Sequence, residues 1–120
     1  MRKYLLDTHI IIWILENDEK ELNNFMKVLT DSRNSFFVSI ASYWEMIIKS
    51  SIGKLKIPHD MISKVRESGI GWLNIELEHL NHIQNLPQIH TDPFDRLIVA
   101  QAEIEKMKIL TTDHKVLQYL

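Results

Sequence analysis

The chain has no cysteine and only three glycines and three prolines in 120 residues, and no apolar run approaches the ~20 residues that span a bilayer. Without cysteine there are no disulfides and no thiolate metal ligands, which suits a reducing compartment. So few glycines leave no Gly-rich phosphate loop, and no serine sits in a nucleophile elbow. The first apolar run, Tyr4 to Leu6, is too short for a signal-peptide core and ends in Asp7. These absences lead us to expect a soluble, cytoplasmic protein with no membrane association. Neither charge sign dominates: 14 Lys and Arg stand against 16 Asp and Glu, a net charge of −2. Charge alone therefore does not mark a nucleic-acid binder. Its distribution is uneven, however. Residues 49–66 carry Lys49, Lys54, Lys56, Lys64 and Arg66 against only Asp60, a stretch that can meet phosphates or simply remain a solvated face.

A chain of this length can bury one real core, and residues 1–120 read as a single domain without repeat, linker or low-complexity tract. Short apolar runs alternate with helical patterns. Strands are expected at Tyr4–Leu6, Phe36–Val38, Trp72–Ile75 and Lys108–Leu110. Helices are expected over 8–15, 19–31, 40–51, 58–67, 76–85, 93–106 and 114–119. Ser39 is placed to cap the helix that Gly53 ends, and Trp13, Trp44 and Trp72 read as core. Buried strands alternating with helices imply a parallel sheet covered on both faces. In such sheets ligands gather at the carboxyl ends of the strands.

Five carboxylates lie near those ends. They are Asp7 after Leu5-Leu6, Glu45 in Ser42-Tyr43-Trp44-Glu45, Asp92 and Asp95 in Asp92-Pro93-Phe94-Asp95-Arg96, and Asp113 after Thr111-Thr112. Each Asp has an ordinary alternative role as a helix N-cap. Asp92 has the strongest claim to it, with Pro at the first helical position and an acid at the third. Glu45 lies inside an apolar helix, where capping does not explain it. Its ordinary alternative is an exposed i,i+4 pair with Lys49. Acids brought together in a fold repel unless a cation sits between them, and hard divalent ions prefer carboxylate oxygen. With four carboxylates neutralised, the net charge would move from −2 to +2. The six histidines show no metal-ligand spacing; His9, His90 and His114 can orient a carboxylate or remain surface groups. With neither a Cys nor a Ser nucleophile, activation of water falls to a metal ion.

Together these segments are specific. Leu5-Leu6-Asp7-Thr8-His9, Ser39 to Glu45 followed by Lys49 and Gly53-Lys54-Leu55, Asp92 to Ala102, and Leu110 to Asp113 resemble a PIN-domain ribonuclease, and within that family the VapC-type toxins. The likeness covers about residues 4 to 117. It implies an α/β/α sandwich with a short parallel sheet of four to five strands, and a Mg²⁺- or Mn²⁺-dependent endoribonuclease that hydrolyses RNA with a metal-activated water. By motif position Asp7, Glu45, Asp95 and Asp113 are the family's four acids, serving both as catalytic groups and as metal ligands. Thr8, Asp92 and Thr111 are assigned to capping or support, and Lys49 and Arg96 to RNA contact. The family further implies a cognate antitoxin protein and a homodimer. The competing reading is a catalytically silent PIN-like module or a receiver-like signalling domain. The receiver needs an Asp after a central strand, whereas Ser39 and Glu76 follow the two middle apolar runs.

Overall fold

The computed structural model describes residues 2–120. Strand β1 (Arg2–Leu6) leads into helix α1 (Thr8–Leu15), then α2 (Glu19–Leu22) and α3 (Met26–Leu29), with a 3-10 turn at Asn23–Phe25 between them. β2 (Asn34–Ser39) is followed by α4 (Ile40–Ser51) and α5 (Met61–Glu67), and β3 (Gly71–Leu73) by α6 (Leu77–His82). After a 3-10 turn at Ile83–Asn85 come α7 (Pro93–Glu105), β4 (Lys108–Leu110) and α8 (His114–Leu117). All pairings are parallel, and the sheet order is β3-β2-β1-β4. The expected α/β/α sandwich is therefore the fold, with four strands.

Alternation along β1 sorts the two faces. Tyr4 and Leu6 join a core with Ile10, Ile11, Val38, Met46, Met61 and Val65, while Leu5 enters a second core with Ile98, Val99, Ile109 and Val116. Helices α1 to α5 thus cover one face and α6 to α8 the other. Leu5, Leu6, Ile10 and Ile11 are fully buried, and each such side chain contributes about 1.5–3 kcal/mol of transfer free energy. Among the described residues no helix is long and apolar enough to cross a membrane.

Three expectations need correction. The single helix over 19–31 is two short helices joined by a 3-10 turn; its Asn23-Asn24 pair favours local backbone bonding over helix propagation. The third strand lies at Gly71–Leu73 rather than 72–75, because it pairs only with Phe37–Ser39. Trp44 is not core: it is 55% exposed and meets Phe94 edge-on at 5.0 Å.

The strand order sets the position of the site. The chain moves outward from β1 through β2 to β3, then crosses back to place β4 on the other side of β1. The sheet therefore has its switch point between β1 and β4, and in sheets of this kind the crevice that takes ligands lies there, at the carboxyl ends of the strands. Asp7 follows β1 there, and Thr111 and Asp113 follow β4.

Candidate active site

Local sequence chemistry brings each acid to that crevice. Asp7 leaves β1 in extended conformation and caps α1, accepting from the Thr8 N–H, while its own N–H donates to the Leu110 carbonyl at 3.0 Å. Asp113 caps α8 by accepting from the Lys115 N–H at 2.8 Å and the Val116 N–H at 3.0 Å. Asp92 caps α7 through the Phe94 and Asp95 N–H groups, which leaves Asp95 in the first turn free of any capping duty. Ser39 caps α4 through the Ala41 N–H. That helix carries Ser42, Glu45 and Lys49 at i, i+3 and i+7, one face of 3.6-residue turns.

Two threonines tie the acids to one another. The Thr111 hydroxyl donates to Asp7 and accepts from the Asp113 N–H at 3.0 Å. The Thr8 hydroxyl donates to Glu45 Oε1 at 2.8 Å and lies 3.0 Å from Ser42 Oγ. Glu45 is buried, yet Lys49 Nζ reaches its Oε2 at 3.1 Å from the rim. The i,i+4 pair and the buried acid therefore coexist.

His90 is held at both of its ring nitrogens. Its Nδ1 accepts from the Asp92 N–H at 3.0 Å, so the proton of the neutral ring sits on Nε2. Nε2 then donates towards Asp95 Oδ2 at 2.9 Å and Asp113 Oδ2 at 3.4 Å. The nearest sequence signal is a histidine two residues before an N-cap Asp, where its ring can turn back on the cap's N–H.

Arg96 corrects an expectation. It is 9% exposed and turned away from the crevice. Its guanidinium donates to the carbonyls of Pro87 (3.0 Å), Ile83 (3.1 Å) and His90 (3.5 Å) and to the Tyr119 hydroxyl (3.1 Å). Tyr119 in turn donates to Pro87 O and accepts from the His90 N–H. Arg96 thus braces the loop that carries His90, and its guanidinium is committed to that loop rather than aimed at the acids.

Burial works against the charged form of three of the acids. Burial pushes the Asp95 carboxyl up to about 7, with Asp7, Asp92 and Glu45 adding repulsion and His90 opposing it. Burial likewise raises Asp7 despite the Thr111 and Thr8 hydrogen bonds. Burial also pushes Asp113 upward, but bonds from the Val116 and Lys115 N–H groups and from His90 outweigh it and leave its carboxyl below the usual value. Between about pH 4 and 7 native Asp95 keeps a proton that the unfolded chain has lost. Stability must therefore fall as pH rises through that window when no metal is present. We expect the metal-free protein to melt several degrees higher at pH 5.5 than at pH 8, and Mn²⁺ at pH 8 to recover the loss. Equal melting temperatures across that range, with and without Mn²⁺, would contradict the clustering.

The donor set fits a hard divalent cation. Asp7 is buried and Asp95 partly buried, neither has a Lys or Arg partner among the described residues, and the crevice supplies oxygen donors rather than sulfur. Oxygen atoms of Asp95 and Asp113 lie within 4.8 Å of each other and of His90 Nε2. As oriented, His90 presents a proton and not a lone pair, so it is a donor to these carboxylates and not a ligand.

A parallel α/β/α sandwich with acids gathered at its switch point is an architecture that can hold a divalent cation at the carboxyl ends of its strands. The PIN domain family matches residues 4–119, and the chain belongs to that family. PIN domains are nucleases, so phosphodiester hydrolysis is the class of reaction concerned. The fold is similar to that of VapBC2 from Rickettsia felis, solved bound to a DNA fragment from their promoter, at TM-score 0.70 and 18% identity over 98% of this chain and 92% of that one. It is also similar to a chain of a toxin–antitoxin complex from Klebsiella pneumoniae, at TM-score 0.61 and 18% identity over 92% and 86%. No curated protein matches the sequence.

Proposed function

We propose that this protein is a Mg²⁺- or Mn²⁺-dependent endoribonuclease and the toxin of a type II toxin–antitoxin pair. One observation carries the reading: carboxylates from four separate segments, Asp7, Glu45, Asp95 and Asp113, lie close enough to act on one another or on His90, and among the described residues Lys49 is the only lysine or arginine that pairs with any of them. Asp7 and Asp95 would hold the principal ion, with Glu45 and Asp113 completing the acidic ring. When bound, the ion supplies Lewis-acid polarisation of the scissile phosphate and a readily deprotonated water. The chain's own groups do the rest. Thr111 fixes Asp7, Thr8 fixes Glu45, and His90 holds a proton between Asp95 and Asp113. Lys49, half exposed at the rim, is placed to meet a substrate phosphate.

A partner protein fits the same reading. Trp44, Ile47, Ile48 and Ile52 leave an exposed apolar stripe along α4, the helix that carries Glu45. An antitoxin lying on that stripe would cover the crevice.

The reading is tested by incubating the protein with total RNA and Mg²⁺ or Mn²⁺ and mapping fragment ends. Metal-dependent cleavage leaving 5′-phosphate and 3′-hydroxyl ends is expected, with loss of cleavage in Asp7→Asn. Unaltered RNA, or equal cleavage by Asp7→Asn, would favour a silent binding module instead.

A further inference from the structure

A cavity of about 480 Å³ lies at the opposite end of the sheet from the acids, where β1 and β2 begin, and Arg2, Tyr4, Lys27, Asp31 and Arg33 are among its lining residues. Its charge is the reverse of the crevice's. Three cations face one acid, so the cleft carries +2 in a chain whose net charge is −2. The three cations are not equivalent. Arg33 is held by a two-pronged pair with Asp31, Nε to Oδ1 at 3.0 Å and Nη2 to Oδ2 at 2.8 Å, with a further bond from its backbone N–H to Oδ1 at 3.0 Å. That pair satisfies Asp31 and orients the guanidinium, leaving Nη1 with no hydrogen-bond partner among the described residues. Arg2 and Lys27 form no ion pair among the described residues and stand exposed at the rim. In the basic stretch 49–66, Lys49 pairs with Glu45 and Lys64 with Asp60, and Lys54, Lys56 and Arg66, which form no ion pair among the described residues, line none of the cleft.

We infer that this cleft is an accessory phosphate-binding site that holds the RNA backbone at a distance from the bond being cut. The reasoning rests on the ribonuclease reading above. A small nucleotide is selected by buried polar groups converging on its base, and all three cations here are exposed side chains. Exposed, unpaired cations recognise a polyanion by charge and carry no sequence information. Arg2 and Asp7 bracket β1, so cleft and crevice are about 17 Å apart at ~3.3 Å per residue. A dinucleotide cannot span that distance, whereas a longer or folded RNA can follow a flank of a protein only 25 Å thick on its shortest axis. The cleft would therefore contribute to binding of long substrates and not to the chemical step.

The experiment compares wild type with Arg2→Gln/Lys27→Gln, both changes at exposed side chains that leave the core intact. Binding of a single-stranded RNA of about twenty nucleotides is measured over a salt series in an Asp7→Asn background, which removes cleavage. Each phosphate contact on a single strand contributes about 0.7 to the slope of log K against log salt, so the double variant should lose about 1.4 of slope. Its affinity at low salt should fall about tenfold. In the cleavage-competent protein the same changes should raise KM for long RNA, leave kcat alone and leave a dinucleotide substrate unaffected. Because binding is read without cleavage, failure of the nuclease reading and failure of the cleft are distinguishable. An unchanged salt slope would overturn the site. So would saturable binding of inorganic phosphate that the substitutions abolish while RNA binding persists, or weakened binding of an acidic protein partner with RNA binding intact.

Discussion

Asp95→Asn is expected to abolish metal-dependent RNA cleavage and to make the metal-free protein more stable at pH 8. The two effects have one cause. Asp95 is 15% exposed at its side chain, repelled by Asp7, Asp92 and Glu45, and matched only by a neutral-ring N–H from His90. Asparagine keeps the oxygen that accepts from His90 Nε2 and removes the charge that the neighbours oppose. The fold loses a cost and keeps a hydrogen bond. The crevice loses one of its four anions, the one its neighbours most oppose, and with it much of its attraction for a divalent ion. A loss of at least about a thousandfold in kcat/KM is expected, about 4 kcal/mol in the barrier. Stability gained where function is lost is the usual sign of a strained site. Cleavage assays and thermal melts on one preparation decide it. Retained cleavage would move the ion away from Asp95, and a lower melting temperature would show that its charge is compensated after all. Asp92→Asn is the control: Asn also caps, and the Phe94 and Asp95 N–H groups would keep their acceptor.

The architecture was legible in the sequence because it is written in period and punctuation. Apolar triplets at Leu5, Val38 and Ile109 mark buried strands, and Ser39, Asp92 and Asp113 mark helix starts; the structure places each where that chemistry puts it. The gathering of the acids was legible for a topological reason, since residues that follow parallel strands must share an edge. What was not legible is direction around a helix. Trp44 and Glu45 are neighbours in sequence but about 100° apart on α4, so one faces solvent and the other the crevice. Hydrophobicity alone assigned Trp44 to the core. The role of His90 depends on a hydrogen bond to the backbone of Asp92 and on a loop braced from Tyr119, twenty-nine residues away. The first has a local signal, but no local pattern reports the second. The cationic cleft is hidden for the same reason: Arg2, Lys27 and Arg33 belong to three different segments and form no charge run.

The second large effect concerns Arg96, which follows Asp95 directly and yet serves the fold. One step along α7 turns its side chain about 100° from the crevice, towards the loop between the Ile83–Asn85 turn and Asp92. That loop has no regular structure, and its carbonyls at Ile83, Pro87 and His90 find their donor in one guanidinium. Arg96→Met keeps the aliphatic bulk and removes every donor. Hydrogen bonds from a charged group contribute about 1.5–3 kcal/mol, and partly buried carbonyls left unpaired add their own cost. We expect a loss of about 3 kcal/mol and a fall in melting temperature on the order of 10 °C. Arg96→Lys should recover little of it, because a point ammonium cannot reproduce the fork that reaches Ile83 on one side and Tyr119 on the other. Tyr119→Phe removes the donor to Pro87 and the acceptor for the His90 N–H and for one Arg96 bond, while Arg96 keeps its carbonyl partners, so a smaller loss of about 1–2 kcal/mol is expected. If the Arg96→Met protein melts within two degrees or so of wild type, the loop is held by its apolar contacts, of which Leu86 is the buried member. If it melts early but binds Mn²⁺ as before, the brace supports the fold alone. A large fall in both would show that the same four hydrogen bonds hold His90 over Asp95 and Asp113, coupling the stability of α7 to the shape of the acidic crevice.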